Sequence, residues 1–119
     1  MFINFRKLDF YVDNLTKKSC KACEGAVPSL TMGESKKLLK MVPNWKVDTV
    51  FLRRNFKFEN FKKALEFVNE VGKIAEKEGH HPDITFGYGY VSIELTTHAI
   101  KGLSKNDFIL AAKIDKIKL

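Results

Sequence analysis

Hydrophobic and polar positions change period several times along this chain, and each change marks an expected element. Over residues 31–41 the apolar residues Leu38 and Leu39, continued by Val42, make a helical stripe. The pattern Thr31-Met-Gly-Glu34 supplies a capping box at its start, and Pro43 stops the helix near Val42. From Trp45 the period shortens to two. Residues 45–47 predict a short strand, Asp48-Thr49 a turn and residues 50–58 a longer strand. In that strand Val50, Leu52, Phe56 and Phe58 share one face, and Arg53, Asn55 and Lys57 the other.

Residues 60–78 carry the strongest helical period, through Phe61, Ala64, Leu65, Val68, Val71 and Ala75, with Gly79 as the C-terminal cap. Two further strands, at residues 83–86 and 90–97, flank Gly87-Tyr88-Gly89. Ser104-Lys-Asn-Asp107 opens a last helix to about Lys116, with Leu103 and Phe108 placed as a hydrophobic staple. The order is α-β-β-α-β-β-α. It predicts an α+β domain over residues 31–119: a four-stranded antiparallel sheet with three helices packed on one face. The strand at residues 90–97, poor in charge, is expected at a sheet edge, where pairing with a second copy would cover it.

Residues 1–30 are weakly periodic and end in the turn-rich run Glu24-Gly-Ala-Val-Pro-Ser29, so they read as an N-terminal arm. That arm holds both cysteines as Cys20-Lys-Ala-Cys23. One such pair cannot make a four-thiolate zinc site, and reduced thiols in a turn are the simplest reading; a regulatory disulfide or a metal shared between subunits stays open.

Composition narrows the classes. With 119 residues, 45% of them hydrophobic and ten of them phenylalanine, the chain suffices for one packed core. No apolar run reaches the ~20 residues of a membrane span. Asn4, Arg6, Lys7 and Asp9 interrupt the N-terminus before a signal-peptide core of ~7 residues can form, so a cytoplasmic location is expected. The net charge of +7 comes mostly from lysines scattered among acids such as Glu66, Glu70, Glu76 and Glu78. That is a solvated surface, and nucleic acid is not expected as a partner.

The candidate chemistry is histidine. All three histidines, His80, His81 and His98, fall at the ends of expected elements, and Pro82 holds His81 extended so that adjacent rings point apart. Imidazole exchanges protons near neutral pH, so three at one end of the fold make an acid–base site for a small organic molecule. Purely structural histidines are the plainer alternative, and zinc held by Cys20, Cys23 and histidines a further one, though adjacent histidines make awkward metal partners. Asp107 reads either as the third residue of a capping box or as a support for the site, and Tyr88 either as a turn-packing or as a ligand-stacking ring.

These residues resemble the signature of the pterin-4a-carbinolamine dehydratases. Glu76 is followed after three residues by His80-His81-Pro82, after five by Tyr88, after nine by His98 and after eight by Asp107. The segments EGHHPDI, THAIKGLS, NDFILAAKID and CEGAVP are similar to that family's text, so the resemblance spans residues 20–119. Gly89 and Ile100-Lys101 depart from it, at positions that border the signature without altering it.

The resemblance implies dehydration of 4a-hydroxytetrahydropterin to quinonoid dihydropterin, in tetrahydrobiopterin recycling, with no cofactor and no metal. It implies His80 and His98 as the acid–base pair, with His81 binding and orienting the pterin while sharing the proton traffic. Pro82, Thr97 and Ala99 would line the pocket, and Glu76 would orient an imidazole. It further implies a homodimer, with a tetramer as the larger option. Some members act instead as non-catalytic dimerisation or assembly cofactors, which is the alternative function.

Overall fold

The structure is a computed structural model, and it describes residues 15–20 and 29–118. The expected turn at residues 24–29, apart from Ser29, and Cys23 lie outside the described residues. Helix α1 (Met32–Leu39) opens on the expected capping box. Thr31 Oγ1 accepts the Glu34 N–H at 3.1 Å, and Glu34 Oε1 accepts the Thr31 N–H at 2.9 Å. Strands β1 (Lys46–Asp48) and β2 (Phe51–Lys57) form the first hairpin, its turn at Thr49-Val50 rather than Asp48-Thr49. Thr49 takes the left-handed conformation there, with φ 53°.

Helix α2 (Phe61–Glu78) is capped by Asn60, whose Oδ1 accepts the Lys63 N–H. It ends on Gly79 at φ 63°, a left-handed conformation that favours glycine. Strands β3 (Asp83–Gly87) and β4 (Tyr90–Leu95) form the second hairpin, followed by a 3₁₀ turn at His98–Ile100 and helix α3 (Lys105–Asp115).

All strand pairs are antiparallel, in the order β1-β2-β4-β3. This corrects one expectation: β4 is a central strand, and the edges are β1 and β3. The reason lies in side chains. Val91, Ile93 and Leu95 are all fully buried, whereas Ile84 and Phe86 of β3 are only partly so. The central place therefore goes to the strand with the most apolar surface to remove from water.

The helices cover one face. Phe67 and Val71 of α2, Phe108, Leu110 and Ile114 of α3, and Trp45 pack on Leu52 and the inner face of β4, joined by Leu15. Helix α3 is buried on nearly every side from Asn106 to Ala112. The other face of the sheet is polar, with Arg53 bonded to Asp48 and Glu94, and Ser92 to Asn55. Arg54 breaks the simple alternation of β2, since it shares the inward face with Leu52 and Phe56. Its guanidinium stacks on Phe56, 4.3 Å from the ring centre, and pairs with Asp115 Oδ1 at 2.6 Å. Burial pushes the Asp115 carboxyl above its usual range, against the opposing pull of the Trp45 N–H and the Arg54 charge. Among the described residues no helix is long and apolar enough to cross a membrane.

Candidate active site

The end of α2 and the end of β4 meet at one rim of the sheet. The left-handed Gly79 turns the chain so that His80 N–H reaches back to Ala75 O at 3.2 Å, which fixes where the first imidazole enters. His80 is not the solvent-facing turn residue its position suggests: it is 4% exposed. Its Nε2 lies 2.6 Å from Asp107 Oδ1, and Asp107 is fully buried at the start of α3. The second carboxylate oxygen, Oδ2, accepts the Ser104 N–H and the Thr97 hydroxyl, each at 2.9 Å. Asp107 thus does both things its sequence context allowed. It completes the capping box of α3, and with the same carboxylate it holds His80.

His81 projects into solvent, and its Nε2 bonds the exposed carboxylate of Glu76, one turn back on α2. His98 is exposed on the 3₁₀ turn. That small loop is closed by Thr97 N–H to Gly102 O at 3.0 Å and by Lys101 in the left-handed region, with φ 50°. The three histidines line one hollow of about 180 Å³ together with Gly79, Thr96 and Ala99.

The remaining expected residues divide. Ala99 lines the hollow, whereas Thr97 is wholly buried behind it and Pro82 stands beside it, half-buried at the start of β3. Tyr88 is exposed at the tip of the β3–β4 turn, roughly 15 Å away by strand rise. Thr96 is a lining residue that sequence reasoning missed. Its Oγ1 donates to Val50 O at 2.6 Å, a cross-strand anchor with no signal in the local pattern beyond its place beside Thr97-His98. Cys20 packs elsewhere: its Sγ donates to Asn106 O and its N–H to Glu78 Oε1.

Chemically, this is an open, shallow site with three imidazoles, two of them hydrogen-bonded to carboxylates. It can hold a flat polar molecule and exchange protons with more than one of its atoms.

Comparison with known proteins identifies the family. The sequence model of the family described as pterin 4 alpha carbinolamine dehydratase matches residues 28–117. A protein of Methylococcus capsulatus, provisionally assigned by its name as a pterin-4-alpha-carbinolamine dehydratase, is 50% identical over 106 residues, covering 87% of this chain and 93% of its own. One of Rubrobacter xylanophilus with the same provisional name is 47% identical over 107 residues, covering 89% and 100%.

The crystal structure of a transcriptional coactivator/pterin dehydratase from Brucella melitensis superposes with a TM-score of 0.70 at 32% identity, covering 74% of this chain and 96% of that one. A pterin dehydratase-like protein identified as a RuBisCO assembly factor in the alpha-carboxysome gives 0.50 at 25% identity, covering 60% and 82%. From the match over residues 28–117 and the near-half identity to relatives along almost their whole length, the chain belongs to the pterin-4a-carbinolamine dehydratase family.

Proposed function

We propose that the protein dehydrates a 4a-hydroxytetrahydropterin to the quinonoid dihydropterin by histidine acid–base catalysis. The observation that carries this reading is the convergence of His80, His81 and His98 on one hollow, with the buried ring held by Asp107. One imidazolium gives a proton to the 4a oxygen, which leaves as water while a ring-nitrogen lone pair fills the vacated orbital. A neutral imidazole then takes the ring N–H proton, so protons balance and no electrons are exchanged. Each positioned transfer is worth ~10²–10⁴ in rate. His80 and His98 carry the exchange, and exposed His81, oriented by Glu76, binds the pterin and shares the proton traffic. Stopped-flow decay of 4a-hydroxytetrahydropterin should accelerate with catalytic amounts of protein; an unchanged decay rate refutes the reading.

A non-catalytic assembly role is the second reading, favoured by the likeness to the RuBisCO assembly factor. The same assay separates the two. For quaternary structure, the longer of the two edge strands is β3, five residues against three in β1. Antiparallel pairing of two β3 strands about a two-fold axis would join two sheets into one of eight strands. Light scattering at micromolar concentration should return about twice the 13.6 kDa chain mass, and a clean monomer refutes the dimer.

A further inference from the structure

Two hydroxyls behind the hollow carry a proton order of their own. Thr97 and Ser104 are both fully buried, with their Oγ atoms 2.7 Å apart. An ionised carboxylate only accepts hydrogen bonds, so the Thr97 hydroxyl gives its single proton to Asp107 Oδ2. Ser104 Oγ must then donate to Thr97 Oγ1, while its own lone pair takes the Asn106 N–H at 3.2 Å. By the same logic His80 Nε2 carries a hydrogen for Asp107 Oδ1. With Asp107 ionised, each direction follows from the last.

The geometry points to Thr97 and Ser104 as positioning residues for His80: a one-way hydroxyl relay that holds the Asp107 carboxylate in one orientation and keeps the ring proton on Nε2. This rests on the dehydratase reading, because only a reaction that uses His80 gives the relay a task. Helix capping does not account for it. The cap needs Ser104 as an acceptor and Asp107 for the Ser104 N–H, and neither bond involves the Thr97 hydroxyl. A role confined to packing would be met by valine, which has the shape of threonine without a hydroxyl to satisfy.

Three variants test it: Thr97→Val, Thr97→Ser as the conservative rescue, and Ser104→Gly. The glycine removes the second hydroxyl while retaining most of the cap, since glycine is tolerated at that position. The Val and Gly variants should lose roughly 10- to 100-fold in kcat with KM unchanged, as removal of an orienting partner typically does. The Ser variant should keep the wild-type kcat. A second measurement needs no substrate: the downfield proton resonance of the His80 ring N–H, assigned by its absence in His80→Gln. It should be sharp in the wild type and Thr97→Ser, and broadened by solvent exchange in Thr97→Val and Ser104→Gly.

An unchanged kcat or resonance in either hydroxyl-free variant overturns the relay, as does an equal loss in Thr97→Ser or a change in KM alone. If Thr97→Val does not fold, Ser104→Gly carries both measurements. A wild-type protein without dehydratase activity, whose resonance still broadens on Thr97→Val, would overturn the functional reading and leave the relay standing.

Discussion

Replacing Asp107 with asparagine keeps the side chain's shape and changes only what its two outer atoms can do. The carboxylate now accepts three hydrogen bonds, from His80 Nε2, the Thr97 hydroxyl and the Ser104 N–H. The Ser104 N–H belongs to the main chain and cannot reverse, so the amide oxygen must stay with it. The amide NH₂ then faces His80 Nε2, which has to give up its hydrogen and accept, moving the ring proton to Nδ1.

Exchanging ionised for neutral acceptance should cost roughly 0.5–1 kcal/mol per bond, or about 2 kcal/mol of stability. Asp107→Ala instead orphans three buried donors at ~1–3 kcal/mol each, so about 3–9 kcal/mol. The catalytic effect runs the other way in proportion. The Asn variant should fold, as read by urea denaturation, yet lose ~10²–10⁴ in kcat through the wrong tautomer. An Asn variant with wild-type kcat refutes the reasoning, and so does one destabilised as much as the Ala variant.

His81→Ala should lower kcat/KM by at least ~10²-fold. Its stability should change by no more than ~0.5 kcal/mol, because the imidazole is exposed; a thermal melt and the stopped-flow assay check both. His80→Gln and His98→Ala, combined in a double-mutant cycle, should be far worse together than their separate effects predict if the two rings share proton transfer, and simple additivity refutes the sharing. Burial pushes the Glu78 carboxyl up, but its bonds to the Lys113 ammonium at 2.7 Å and the Cys20 N–H outweigh this and hold it below its usual range. A lowered carboxyl stabilises the fold above its unfolded pKa of about 4.3, and that stability is lost as pH falls through the folded value. Glu78→Gln should therefore unfold at lower urea than the wild type at pH 7, with the gap closing below about pH 4; an equal gap at both pH values refutes the linkage.

Local signals in the sequence carried the elements, because caps and periods act over a few residues. The Thr31 and Ser104 capping boxes, the Gly79 terminus and the second hairpin stand where the pattern puts them, and the first hairpin turns one residue later. Strand order was not legible, since it depends on which apolar face finds the most cover once α2 crosses the sheet. That contest put β4 at the centre. Arg54 on an inward face reads as an error of alternation until Asp115, sixty-one residues later, is seen to neutralise it. In the site, the three histidines were legible as a group, whereas the burial of His80 was not. The partner that buries it, Asp107, comes from a helix twenty-seven residues on and already had a sufficient local role as a cap. Thr96 and the bond of the Ser104 hydroxyl to Thr97 were missed for the same reason: these bonds cross between elements.

The strand order has a consequence for how the site moves. Edge strands open before central ones, because only one side of their backbone is tied down. Thr97, whose N–H bonds Gly102 O, continues from central β4, and Asp107, whose N–H bonds Ser104 O, sits in largely buried α3, so these two amides should exchange with deuterium only on near-global unfolding. His81 and Pro82 lead directly into β3, an edge. In a lone chain the site thus joins a slow-exchanging floor to a wall free to fray at Asp83, which would swing His81 clear of the hollow while the His80–Asp107 clamp stays shut; the dimer proposed above, pairing β3 with its copy, would hold that wall in place.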